Sequence, residues 1–154
     1  MLEDVAIFSG LSPAELDLLE HHMLTRSFKK NTIIINEGDE ANSFFIIVKG
    51  GVKIFLSNEE GKEIIINAQG PGDHFGELAL LDGAPRSASV ITTEKSTIGV
   101  ISKEDFHSVL AKNTDIALNL IRELTKRVRF LSDNVRTLAL MDVYGRVAKV
   151  LLGM

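Results

Sequence analysis

Hydrophobic positions follow two different rhythms along this chain. From about residue 24 to residue 101 they come in short β-branched and aromatic runs: Thr32–Ile35, Phe44–Val48, Val52–Leu56, Ile64–Ile66, Ala88–Thr92 and Ile98–Ile101. Turn-forming clusters separate them: Glu37-Gly38-Asp39, Gly50-Gly51, Asn58-Glu59-Glu60-Gly61 and Gly70-Pro71-Gly72-Asp73. Most gaps are only a few residues long, whereas a parallel crossover needs about a dozen or more, so the strands are expected to pair antiparallel. Many short strands joined by glycine turns predict a β-roll of the double-stranded β-helix or jelly-roll type, in an α+β chain.

Helical spacing flanks this region on both sides. Ser12-Pro13-Ala14-Glu15 supplies an N-cap, a proline at the first helical position and a capping-box glutamate. Leu16, Leu19 and Met23 continue that helix as an apolar stripe. Ser102-Lys103-Glu104-Asp105 caps a second short helix carrying Phe106, Val109 and Leu110. Thr114-Asp115 then opens a stretch free of proline and glycine up to Gly145. Within it Ile121, Leu124, Val128, Leu131, Val135 and Leu138 recur at alternating steps of three and four, a heptad seam. Arg122, Lys126, Arg127, Arg129, Asp133 and Arg136 fill much of the remaining circumference. A helix docked on its own domain shows a broader stripe, so the seam favours a parallel homodimer over intramolecular docking. Residues 142–154 read as a turn and a new helix that stops abruptly. The expected organisation is therefore a roll over 1–113, a dimerisation helix over 114–141, and the start of a truncated domain over 142–154.

Composition narrows the function classes. The 154 residues, 45% hydrophobic and 25% charged, suit one well-cored domain with an appendage. Cysteine is absent, which excludes disulfides, thiol nucleophiles, iron–sulfur clusters and Cys-ligated zinc. No run approaches the ~18 apolar residues of a membrane span, and the acidic start Glu3-Asp4 is unlike a secretory signal. A cytoplasmic protein without a membrane partner is expected. The net charge of −4 is uneven: residues 1–110 hold 9 Lys/Arg against 17 Asp/Glu, a balance of −8, and residues 111–154 hold 8 against 4, a balance of +4. The acidic part is a poor surface for DNA.

The chemistry concentrates between Phe75 and Val90. Leu78–Leu81 are good helix formers, predicting one short turn of helix with Glu77 at its start. Free N–H groups at such a start favour an anion, and Gly76 lets a ligand approach the backbone. Gly83 and Pro85 turn the chain back and bring Arg86 towards the same spot. A guanidinium forks onto two phosphate oxygens, and a carboxylate accepts from a sugar hydroxyl. A small ligand carrying ribose hydroxyl and phosphate on adjoining edges satisfies both groups, and a cyclic nucleotide has that shape. The bland alternative is that Glu77 and Arg86 form only a surface ion pair, which would be worth little.

The run Gly76-Glu77-Leu78-Ala79 with Pro85-Arg86-Ser87-Ala88 resembles the phosphate-binding cassette of cyclic-nucleotide-binding domains. Gly38-Asp39, Phe45-Ile46-Ile47-Val48-Lys49-Gly50 and Gly61-Lys62-Glu63 are similar to the Crp/Fnr family of bacterial regulators. So is Leu138-Ala139 with Met141-Asp142-Val143 and Gly145-Arg146-Val147-Ala148, where that family passes into its DNA-binding domain. The resemblance implies a non-enzymatic, allosteric sensor of a cyclic nucleotide, cAMP in the first place, with no metal. It implies that Glu77 takes the ribose 2′-hydroxyl and Arg86 the cyclic phosphate. Ser87 and the backbone of Gly76, Leu78, Ala79 and Ala88 would add sugar and phosphate contacts, and Arg127 and Ser132 would close over the purine from two subunits. Leu131 departs from the pattern: the family's best-known cAMP activator has a threonine there that meets adenine. DNA and RNA polymerase are implied as partners only of a full-length parent protein.

Rival readings are weaker on the residues. The same module could serve a kinase or a channel, which the Leu138–Ala148 junction disfavours, or a family member could sense haem, redox state or another effector. A cupin-like enzyme needs a clustered set of metal-binding histidines, but His21, His22, His74 and His107 are scattered, and solvated or capping roles are expected for them. No Ser-His-Asp or paired-carboxylate site can be assembled.

Overall fold

The computed structural model describes Leu2 and residues 4–151. It divides into two compact units, Met1–Ala117 and Leu118–Met154.

The first unit opens with a 3-10 turn, Ala6–Phe8, and helix α1, Pro13–His22. The capping box forms as its residues require: Glu15 N donates to Ser12 Oγ at 3.2 Å and Ser12 N to Glu15 Oε1 at 3.2 Å. Eight strands follow: β1 (Leu24–Phe28), β2 (Ile33–Ile35), β3 (Ser43–Lys49), β4 (Val52–Ser57), β5 (Glu63–Gln69), β6 (His74–Phe75), β7 (Ser89–Thr92) and β8 (Ser96–Ser102). A short helix α2, Glu77–Asp82, sits between β6 and β7, and α3, Lys103–Lys112, follows β8. The strands form two four-stranded sheets, ordered β1-β8-β3-β6 and β2-β7-β4-β5, and the pairing is antiparallel throughout. The expected α+β roll is the observed fold.

Two-residue alternation decides which side chains meet. Phe45 and Ile47 of β3, Phe75 of β6 and Ile98 of β8 meet Ile35, Val52 and Val90 from the other sheet in one buried cluster. The intervening residues of β3, Phe44 and Ile46, are equally buried, and Phe44 stacks on Phe106 of α3 with centroids 4.7 Å apart. The uninterrupted apolar run of β3 is thus a strand covered on both faces. Edge strand β5 is its opposite, leaving Ile64, Ile65 and Ile66 exposed. Strands β1 and β6 escape the sequence pattern: Leu24-Thr25-Arg26-Ser27-Phe28 is largely exposed, and β6 has only two residues.

The long helix α4 runs from Thr114 to Leu151, 38 residues, or about 57 Å at 1.5 Å per residue. The turn expected after residue 141 does not form. No proline interrupts the segment, glycine in a helix interior costs only about 0.5–1 kcal/mol, and Asp142 pairs with Arg146 one turn on at 3.0 Å, across the expected break. Residues 152–154 lie outside the described residues. Ile121, Val128, Leu131, Val135 and Leu138 are exposed on this helix and Leu124 is half-buried. No helix among the described residues is long and apolar enough to cross a membrane.

Candidate ligand-binding site

The site is built on the path from β6 through α2 to β7. The Gly70–Asp73 turn is pinned to β3 by two bonds, Gly72 N to Ile47 O and Ile47 N to Asp73 O, both 2.9 Å. Two residues of β6 then lead into Gly76, whose φ of 90° a residue with a side chain rarely adopts. Helix α2 begins at Glu77 and ends at Gly83, whose N–H returns to Ala79 O at 3.1 Å. Asp82 Oδ1 accepts from Ala84 N at 2.9 Å and shapes the reversal. The chain then comes back past Gly38 and Asp39: Arg86 N donates to Asp39 O at 2.8 Å, and Gly38 N to Arg86 O at 2.9 Å.

That reversal delivers Arg86 to the point where α2 begins. Its Nη1 donates to Gly76 O at 2.8 Å and its Nη2 to Ser43 O at 2.7 Å. The guanidinium also stands over the Phe45 ring, 5.6 Å from the centroid, and Phe45 stacks on Phe75. A Cβ on Gly76 would meet Arg86 Nη1 at 2.9 Å and Phe45 at 3.2 Å. Close approach to Gly76 is therefore required first by the protein's own arginine. Two of the five guanidinium donors are engaged by carbonyls, so the fork is fixed in orientation while keeping donors for an anion.

Glu77 is 2% exposed and Arg86 6%, which disposes of the surface-ion-pair reading. Burial pushes the Arg86 pKa below its ordinary value, and the negative charge of Glu77 opposes that shift. A buried carboxylate needs such compensation, because an unpaired charge away from water is costly. A second cationic candidate is close by: His74, 5% exposed, places Nδ1 3.6 Å from Glu77 Oε2. The expectation of a solvated or capping role for the scattered histidines fails at His74, because β6 turns it inward onto Phe44. At His107 it agrees with the structure: the residue is exposed, and its Nε2 lies 2.8 Å from Leu80 O in the last turn of α2, a capping position that ties α3 to α2. The only sequence signal for His74 was its position three residues before Glu77 in a strand too short to show a period.

The remaining predicted residues divide between the units. In the first, Ala79 is buried, Gly76 and Ala88 are half-buried, and Leu78 and Ser87 are exposed. Arg127, half-buried, and Ser132, exposed, lie on α4 in the second. Among the described residues no group of three or more His, Asp or Glu is placed to hold a metal ion.

Residues 25–113, which contain this whole loop, match the family described as the cyclic nucleotide-binding domain. The chain belongs to that family. Beyond the cyclic nucleotide-binding domain itself, the chain is 32% identical to the CRP-like cAMP-activated global transcriptional regulator of Mycobacterium tuberculosis, over 99% of this chain and 68% of that protein. It is 34% identical to the cAMP-activated global transcriptional regulator CRP of Salmonella typhimurium, over 86% of this chain and 64% of the relative. The chain thus spans about two-thirds of these relatives. Among solved structures, the Thermus thermophilus catabolite activator protein superposes with a TM-score of 0.80 at 29% identity, covering 87% of this chain and 63% of that one. The cAMP-bound regulatory domain of Toxoplasma gondii PKA matches with a TM-score of 0.65 at 29% identity, over 70% of this chain and 41% of that one. The likeness to the CRP-like homologue covers 99% of the chain and so takes in the long helix, whereas the kinase likeness covers 70% of it.

Proposed function

We propose that this cyclic nucleotide-binding domain is the effector-sensing part of a CRP-like transcription regulator, that it is cytoplasmic and non-enzymatic, and that its ligand is cAMP. Glu77 accepts the ribose 2′-hydroxyl and Arg86 clamps the cyclic phosphate. Ser87 and the backbone of Gly76, Leu78, Ala79 and Ala88 complete the sugar and phosphate contacts. Arg127 and Ser132 contribute to the purine end from the long helices of two subunits. The observation that carries this reading is the burial of one carboxylate and one backbone-oriented guanidinium at the two ends of a single loop. Opposite charges so placed suit a ligand that is a hydrogen-bond donor on one edge and an anion on the other.

The seam Ile121, Leu124, Val128, Leu131, Val135 and Leu138 pairs two copies in parallel. Ligand bound better by one helix arrangement than the other shifts the population between them, and so repositions a DNA-binding domain that follows the long helix. A kinase regulatory module is the second reading; the likeness to CRP-like proteins, reaching over 99% of the chain, favours the first.

Calorimetric titration with cAMP, cGMP and cyclic di-GMP tests the ligand. Saturable binding of one cyclic mononucleotide per site is expected. A charge-assisted bond is worth about 1.5–3 kcal/mol, so Arg86→Ala should weaken it by about ten- to a hundredfold. Unchanged affinity in a variant shown to be folded by circular dichroism defeats the assignment.

A further inference from the structure

The buried ionic group in this loop has a third member that a two-residue clamp does not use. His74 and Glu77 are as deeply buried as Arg86, and the imidazole Nδ1 stands 3.6 Å from the carboxylate, a charge contact longer than a hydrogen bond. We propose that His74 is a positioning residue of the ligand site, fixing Glu77 and taking up a proton from solvent when an anionic cyclic nucleotide binds. This rests on the reading of Glu77 and Arg86 given above.

The argument is one of charge balance where water cannot screen. With the imidazole neutral, Glu77 and Arg86 cancel and the empty site carries no net charge. A cyclic phosphodiester brings one negative charge, leaving the group one positive charge short. Charges a few ångströms apart interact strongly in a poorly solvated site, and histidine is the side chain whose ordinary pKa, about 6.5, lets it respond near neutral pH. Protonating His74 restores neutrality and draws Glu77 towards the imidazolium. Strand β3, which pairs with β6, presents the Phe44 ring at 5.3 Å and sets Ile46 opposite His74 in register. Helix α2 contributes Glu77, the loop before β7 contributes Arg86 through Glu77, and His107 of α3 is directed at Leu80 O.

Coupling between two ligands is reciprocal: if cyclic nucleotide favours the proton, the proton favours cyclic nucleotide. Affinity should therefore rise as pH falls from 8 to 6, by about three- to tenfold for coupling to a single histidine. Calorimetry of the full chain with cAMP, in two buffers of different ionisation enthalpy at pH 7, counts the protons directly. Net uptake of up to about one proton per site is expected. His74→Gln, polar but unable to take a proton in this range, should lose both the uptake and the pH slope. Binding without proton uptake, or an unaltered slope in His74→Gln, overturns the role of His74 and leaves cyclic nucleotide binding standing. Should that variant not fold, the wild-type proton count decides alone. Absence of binding at every pH overturns the proposed function and this inference with it.

Discussion

In the roll, Phe44, Ile46, Ile47 and Ile98 are each at most 1% exposed, while on α4 Ile121, Val128, Val135 and Leu138 are 58–66% exposed. Both sets are as apolar as each other; they differ in where their partners are encoded. A strand alternates every two residues, and the roll supplies the facing sheet from its own chain, so Phe45 finds Val52 and Val90 within one buried cluster. The seam on α4 repeats every 3.5 residues on average, which turns one narrow stripe towards a second helix of the same pitch. A period thus states what kind of partner an element needs: the runs of β3 and β8 are answered within the fold, while the stripe on α4 stays exposed, which is why a second copy is proposed as its partner.

The largest effect that tests this contrast falls on the helix. Leu124→Lys combined with Leu131→Lys removes four leucines from a dimer. At about 1.5–3 kcal/mol for each buried side chain, the loss is about 6–12 kcal/mol. Sedimentation velocity should find a monomer at micromolar concentration, while near-ultraviolet circular dichroism of the roll stays as in wild type. A variant as dimeric as the parent would move the partner of the seam elsewhere. Loss of the roll signal together with the dimer would show that the two regions do not stand apart.

A smaller effect probes the roll where its own packing meets the site. Gly76 has a φ of 90° and faces Arg86 Nη1 at 2.9 Å from the place a Cβ would take. Left-handed backbone costs about 1–2 kcal/mol for a residue with a side chain, and the guanidinium must also shift off its carbonyls. Gly76→Ala should lower the denaturation midpoint accordingly and weaken cAMP binding by about tenfold or more. Normal binding in this variant would mean that the arginine tolerates displacement, and that its two carbonyl bonds do not set the site.

What could be read from residues alone follows from how local each signal is. The capping box at Ser12, the N-cap at Ser102 and the short helix after Gly76 depend on neighbours within four positions, and each formed where expected. The strands of the roll were legible because turn residues bracket runs long enough to show β character. Strand β6 was not, since two residues carry no period and are made a strand only by Phe45 and Ile46 across the sheet. The same limit hid His74: its burial depends on Phe44, thirty positions earlier, and on the inward face of β6. For Arg86 the sequence indicated direction but not anchorage. The carbonyls of Gly76 and Ser43 that orient it carry no side-chain information at all.

The finest test returns to the helix, at the residue whose meaning the sequence pattern and the fold read differently. A glycine following Met141-Asp142-Val143-Tyr144 predicts a turn, yet α4 passes through Gly145 without a positive φ, and an added Cβ there meets nothing within 4 Å. Alanine at a helical position is better than glycine by about 0.5–1 kcal/mol. Gly145→Ala should therefore raise helicity at 222 nm and lift the thermal midpoint slightly, opposite in sign to Gly76→Ala in the roll. The exposed Asp142–Arg146 pair adds a few tenths of a kcal/mol at most, so Asp142→Asn, which removes the charge at nearly unchanged helix propensity, should reverse only part of that gain. Were Gly145→Ala instead to lower helicity, the backbone at 145 would be a turn in solution and the expected boundary after residue 141 would be restored. One substitution, read by the sign of its effect, thus separates a helix that continues from one that ends.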